Sequence, residues 1–131
     1  MRLDTLSSDQ ISQTMKKGRR HRAKTALLYV VATESEQAGK VAFIAPKRLG
    51  NAVARNRSKR VLRAAFDEVY TQSKEMRAYC RDHNVIVMAT QFTAQVKSSS
   101  ASEDIKHMFD TYILNPSLPE ETRVKRSQRS S

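Results

Sequence analysis

Apolar and polar positions follow different rhythms along the chain, and the changes of rhythm divide it into elements. Leu6, Ile11 and Met15 make a narrow apolar stripe in a polar stretch. Ser7 is placed to cap a helix there, Gln10 completes a capping box three residues on, and Leu6 can staple onto Ile11. Gly18 predicts a left-handed end to this helix. Residues 25–33 then predict a strand. Ala26, Leu27, Leu28, Tyr29, Val30 and Val31 are apolar without alternation, which predicts cover on both faces. After a polar turn, residues 40–45 (Val41, Ala42, Phe43, Ile44) predict the returning strand of an antiparallel pair, ended by Pro46.

The rhythm then changes to 3.6. Val61, Leu62, Ala65, Phe66 and Val69 fall on one helix face, while Asn56, Lys59, Arg60 and Arg63 fall on the other. Helical composition continues over residues 72–81, with room for one break. Val85 to Ala89 predict a short buried strand, reached from the helix in the parallel sense. Ser98, Ser99 and Ser100 read as a loop, and Ser102 as the cap of a last helix with Glu103 and Asp104 in its first turn. Ile105, Met108, Phe109, Tyr112 and Ile113 form its core face, and Asn115-Pro116 stops it. Residues 116–131, with Arg123, Lys125, Arg126 and Arg129, predict a basic, disordered tail. The order is helix, two or three strands, helix, strand, helix: an α/β two-layer sandwich with a single sheet, one domain over residues 1–115.

Charge sharpens this picture. The 131 residues are 39% hydrophobic, enough for one real core, and carry a formal net charge of +11. The natural partner is polyanionic. Between Gln37 and Phe66 stand eight Lys or Arg and no Asp or Glu. Gly50 and Asn51 suit a tight loop that brings Lys47 and Arg48 to the same edge as the charged helix face. Solvated helix faces usually alternate sign, so this one reads as a nucleic-acid-docking helix. No apolar run approaches the roughly 20 residues of a membrane span. The opening Met1-Arg2-Leu3-Asp4 lacks the apolar centre of a signal peptide, which predicts a cytoplasmic protein. Cys80 is alone and reads as a bystander.

Candidate chemistry is sparse. Glu103 and His107 share a helix face without a third metal ligand in sequence, so they predict a surface ion pair. His21, among arginines, fits phosphate contact better than proton transfer. Tyr29 and Phe43, on what read as adjacent strands, can offer rings to unstacked bases or pack in the core. No glycine-rich phosphate loop, nucleophile elbow or carboxylate cluster is present, so catalytic and metal-ligating residues are expected to be absent.

The run Lys47-Arg48-x-Gly50-Asn51-Ala52-Val53-x-Arg55-Asn56-Arg57-x-Lys59-Arg60-x-x-Arg63 resembles the signature of the bacterial ribonuclease P protein component, with Arg55-Asn56-Arg57 as its core. The likeness extends to Ile11-x-x-x-Met15-x-x-Gly18, to Leu28-Tyr29-Val30 and to Val85 through Ala89. It departs at Ile11, where the family usually has an aromatic residue, at Ala45-Pro46, at Ala64, and in a longer segment between Tyr70 and Asn84. The resemblance implies the order αβββαβα, with an extra strand near Arg19 to Arg22 and a left-handed βαβ crossover. It implies the accessory protein subunit of an endoribonuclease that removes the 5′ leader of precursor tRNA, with the catalytic centre in the RNA subunit and Mg²⁺ held mainly by that RNA. Lys47, Arg48, Asn51, Arg55, Asn56, Arg57, Lys59, Arg60 and Arg63 would dock on the catalytic RNA. Ile11, Met15, Arg19, Arg20, Tyr29 and Phe43 are the candidates for a cleft that takes the single-stranded leader. No membrane and no stable protein partner is implied.

Other classes fit less well. A structural RNA-binding protein, such as a ribosomal protein of related topology, would share charge and fold without affecting cleavage. A DNA-binding module lacks helix-turn-helix spacing before the basic helix, and a self-sufficient nuclease lacks acidic metal ligands.

Overall fold

The computed structural model describes residues 3–34 and 37–114; the expected tail and the Asn115-Pro116 stop lie outside them. The first helix, α1 (Ser8–Lys17), starts with the capping box intact. Ser7 Oγ accepts the Gln10 N–H at 3.2 Å, and Gln10 Oε1 accepts the Ser7 N–H at 2.9 Å. Buried Leu6 clusters with Ile11. Gly18 ends the helix, but at φ −77°, ψ 161° it is extended rather than left-handed. Glycine stands there for want of space. A Cβ would lie 2.5 Å from the Thr14 carbonyl oxygen and 2.8 Å from that of Val30, on the strand packed against the helix end.

Four strands form one sheet in the order β1-β2-β4-β3: β1 (Arg19–Arg22), β2 (Leu27–Ala32), β3 (Val41–Ile44) and β4 (His83–Met88). The short strand at Arg19–Arg22 pairs with β2 antiparallel. The expected pairing of β2 with β3 does not occur. β4 inserts between them, antiparallel to β2 and parallel to β3. Val85, Ile86, Val87 and Met88 are all buried, so β4 is apolar on both faces and belongs in the middle of the sheet, whereas Phe43 and Ile44 in β3 stay half-exposed. β3 is therefore at the edge, and the chain before α1 covers it: Leu6 N–H donates to the Val41 carbonyl at 3.2 Å and Val41 N–H to that of Asp4 at 3.0 Å. β2 is also less enclosed than its composition predicts. Leu28 and Val30 are buried, while Leu27, Tyr29 and Val31 on the alternate face are half-buried.

The connection from β3 to β4 runs through α2 (Ala52–Gln72) and α3 (Lys74–Arg81). They break at Ser73, whose N–H closes on the Val69 carbonyl at 2.9 Å and whose Oγ caps α3 by accepting the Met76 N–H at 3.1 Å. The last helix, α4 (Ser98–Met108), begins four residues before the predicted cap. Ser102 lies inside it, buried, with its hydroxyl donating to the Ser99 carbonyl at 2.8 Å. Ala101 and Ile105 are fully buried, so packing draws a serine-rich stretch of weak propensity into the helix. A wider turn, Phe109–Ile113, follows.

Register divides the sheet into two faces. Leu28, Val30, Val41, Val85 and Val87 meet Val61, Leu62, Phe66, Met76, Ile105 and Phe109 in the main core. Ala42 and Ile86 face the other way, with Leu6, Ile11, Tyr29 and Ile44. The helix faces of α2 are as the 3.6 period predicts: Val61, Leu62, Ala65, Phe66 and Val69 are buried, and Asn56, Arg60 and Arg63 are exposed.

Candidate nucleic-acid interface

The basic segment is held in a defined pose by its own backbone chemistry. After Pro46, Lys47–Leu49 make a single tight helical turn, and Gly50 leaves it at φ +128°, a conformation that side chains rarely adopt. Asn51 then caps α2, its Oδ1 accepting the Ala54 N–H at 3.0 Å. Asn51, predicted as an RNA contact, thus has a structural task in its carbonyl oxygen. Lys47 and Arg48 are exposed at the turn.

Two arginines of α2 are anchored in the same way. Arg55 Nε donates to the Ala45 carbonyl at 3.0 Å, which ties the helix to the end of β3. Arg57 Nε donates to the Ala94 carbonyl at 2.7 Å, in the Thr93–Gln95 turn after β4. Each bond uses the inner nitrogen and leaves the paired outer N–H groups as a fork for phosphate oxygens. Arg60 is exposed and Lys59 half-buried on the same helix, and Arg63 lies over the Phe43 ring at 5.4 Å. Among the described residues, no acidic side chain pairs with Lys47, Arg48, Arg55, Arg57, Lys59 or Arg60.

The cleft candidates do not all come together. Tyr29 joins Ile11 on the α1 face of the sheet, and Met15 is exposed on α1. Arg20 pairs across from Tyr29 and shares its face; Arg19 pairs across from Val30 and alternates to the other. Phe43 also lies on the other face, edge-on to Phe66 at 5.7 Å, and β4 separates its strand from that of Tyr29. His21 is buried on that same side, stacked on Tyr112 at 5.9 Å, instead of lying open to phosphate. His107 faces Thr111 Oγ1 at 3.4 Å, and the expected pair with Glu103 is not formed.

A groove of about 310 Å³ opens at one end of the α1 face, where Arg20, Arg22, Lys24, Tyr29, Arg48 and Phe92 converge, with no acidic residue in its lining. It connects the sheet to the basic turn. Arg22 and Lys24 line this groove although sequence reasoning left them out of the candidates; alternation along Arg20-His21-Arg22 is the signal that finds Arg22. Phe92, with the Lys24 ammonium 5.2 Å above its ring, has no local signature. A second groove, about 220 Å³, lies between α1 and the far ends of β2 and β4, lined by Gln10, Gln13, Lys17, Thr33 and Asn84 among others.

Two groups on the helix side of the sheet are shifted by burial. Burial pushes the Cys80 thiol up to about 12, with Asp82 adding to it. Burial likewise raises the Tyr79 phenol to about 12, assisted by Cys80 and Asp82 and opposed by Arg19. Among the described residues, no three His, Cys, Asp or Glu side chains are grouped to hold a metal ion. No described helix is long and apolar enough to cross a membrane.

Known proteins of this kind share both the sequence and the shape. The sequence profile of the family described as ribonuclease P matches residues 2–113. The ribonuclease P protein component of Corynebacterium efficiens is 30% identical over 114 residues, covering 77% of this chain and 84% of that protein. The one from Shouchella clausii is 29% identical over 99 residues, 76% of each chain. In shape, the chain resembles the RNase P protein of Staphylococcus aureus (TM-score 0.66, 19% identity, 88% of this chain and all of that one). It also resembles that of Thermotoga maritima (TM-score 0.61, 14% identity, 80% and 94%). A profile spanning nearly all the described residues, with a basic helix and sheet in the arrangement its residues demand, places this chain in the ribonuclease P protein component family.

Proposed function

We propose that this protein docks on the catalytic RNA of ribonuclease P through Lys47, Arg48, Arg55, Asn56, Arg57, Lys59, Arg60 and Arg63. It also receives the single-stranded 5′ leader of precursor tRNA on the α1 face of the sheet. The observation that carries the reading is the band of cations that runs from α2, where Asp67 stands at its far end beside Arg60 and Arg63, through the Lys47–Leu49 turn into the acid-free groove at Arg20, Arg22 and Tyr29. Such a band meets two RNA backbones at once. Phosphates pair with the arginine forks on α2, and leader nucleotides follow the groove, where the Tyr29 ring stands half-exposed for stacking. Ile11, Met15 and Arg20 border the leader's path. Arg19 and Phe43, on the other face, do not.

In this reading the chain's contribution is electrostatic. Cations between substrate and catalytic RNA lower the repulsion of their phosphates, so less Mg²⁺ is needed to join them. The ion belongs to the RNA, and the assembly works in the cytoplasm. No group in the protein is assigned a proton transfer.

The test is a cleavage assay with a bacterial ribonuclease P RNA and a precursor tRNA. Adding the protein should raise leader removal most at low Mg²⁺ and low salt, and the gain should shrink as either rises. The protein without RNA should cut nothing. No gain at low Mg²⁺, with the RNA active at high Mg²⁺, would defeat the proposal.

A further inference from the structure

Behind the arginine face lies a chain of hydrogen bonds, buried at its centre, that RNA docking alone does not call for. Thr93 is completely buried, yet it carries a hydroxyl. That hydroxyl donates to the Thr25 carbonyl at 2.7 Å and accepts the Thr90 N–H at 2.8 Å. Thr25, also buried, gives its N–H and hydroxyl to Asp104 Oδ2 of α4 at 3.1 and 2.5 Å. Thr90 Oγ1 in turn donates to the Lys24 carbonyl at 2.5 Å and accepts the Phe92 N–H at 3.2 Å. The loop between β1 and β2, the turn after β4 and the side of α4 are thereby joined by polar bonds with defined directions.

Burying such groups costs more than an apolar core of the same shape, so their gain lies in fixing geometry. The geometry fixed here is that of the Thr93–Gln95 turn. Its middle carbonyl, Ala94, accepts Arg57 Nε at 2.7 Å. On its other side the same turn carries Phe92 beneath Lys24, in the groove that also holds Arg48. One buried anchor therefore sets the pose of a cation on α2 and of an aromatic and cationic pair in the groove.

We infer that Thr93, supported by Thr25 and Asp104, is a positioning residue for RNA docking: it holds the Ala94 carbonyl where Arg57 can present its outer N–H groups already oriented. The inference rests on the RNA-docking reading above. An exposed arginine that is already ordered loses less rotamer freedom when it meets a phosphate.

The experiment is a double-mutant cycle between Thr93→Val and Arg57→Ala, with a bacterial ribonuclease P RNA as the probe. Alongside it, nitrogen–proton NMR of the arginine Nε–H groups is recorded in the free protein. In the parent, the Arg57 Nε–H should be protected from exchange. Thr93→Val should remove that protection and weaken RNA binding about threefold to tenfold, and Thr93→Ser, which keeps the hydroxyl, should restore both. In the Arg57→Ala background the valine substitution should change affinity by less than about twofold. Equal losses in both backgrounds, or an Arg57 Nε–H that stays protected in Thr93→Val, would overturn the inference. If the valine variant does not fold, Asp104→Asn carries the same cycle with the same outcomes. A parent protein that fails to bind the RNA at all would sink the docking reading instead, and the NMR arm would still decide the geometry.

Discussion

On one face of the sheet, Leu28, Val30, Val85 and Val87 are sealed beneath three helices; on the other, Tyr29 and Ile44 stay half-exposed beside the ten-residue α1. The difference sorts the two surfaces proposed for RNA. α2 is held through a long buried face, and Arg55 and Arg57 are tied to backbone carbonyls. Its charges are therefore displayed in a fixed pattern, suited to a folded RNA. The α1 face keeps rings and cations partly open around two grooves. That surface suits a strand whose bases must be accommodated one by one. A rigid display and an adaptable one are built on the two sides of four strands.

The largest expected effect separates the faces by stability. Phe66→Ala removes a fully buried ring that meets Phe43, Tyr70 and Phe109, and should cost about 3–5 kcal/mol in urea unfolding. Ile11→Ala, half-buried on α1, should cost about 1 kcal/mol. Similar losses at both sites would erase the distinction between them.

The next effect sharpens the charge side. Combined Ala substitution of Arg55, Arg57 and Arg60 should abolish assembly with the RNA while circular dichroism stays native. If on the order of five phosphates are neutralised, log affinity should fall against log salt with a slope of about −4, and Arg60→Ala alone should flatten it by about one. A flat response in the parent would remove the electrostatic basis of docking.

A smaller effect tests the open side. Tyr29→Ala should weaken binding of a precursor tRNA with a long leader by about 1–3 kcal/mol, and that of one without a leader hardly at all. Phe43→Ala should instead lower stability and leave leader crosslinks unchanged, because the ring is packed against Phe66. Crosslinks from the leader to Phe43 would reverse this assignment.

The last effect is absent in the neutral range and appears only at alkaline pH. Cys80 and Tyr79 ionise in the unfolded chain near the ordinary values of 9.0 and 10.0, and in the folded protein only near 12. The unfolded state then releases protons first, so the stability these groups support is complete below about pH 9 and is lost as pH climbs toward 12. Unfolding midpoints across that range should fall steadily. In the neutral range the Cys80 thiol should resist alkylation until the protein unfolds.

Much of this architecture was legible in local pattern, for reasons that differ by element. The two faces of α2 follow from a 3.6 period, and the α1 cap from Ser7 and Gln10, because helices and their caps satisfy themselves within a few residues. The basic motif was legible for the same reason: its charge is concentrated in one contiguous run. What misled the reading was non-local. Ser102 looked like a cap because its burial against neighbouring elements cannot be seen in its own neighbourhood. Phe43 looked like a partner of Tyr29 because adjacent strands in a chain usually pair.

The sequence by itself therefore determined the main helices and strands, though not β1 or the first turn of α4, together with where the positive charge is gathered and the family, since each is a property of short or contiguous stretches. Only the tertiary structure decided that β4 separates β2 from β3, that Tyr29 and Phe43 look in opposite directions, and that Arg22, Lys24 and Phe92 meet Arg48 in one groove. Strand order is set by which strand gains most from cover on both faces. That choice depends on every other element's apolar surface, and no single stretch of chain contains it.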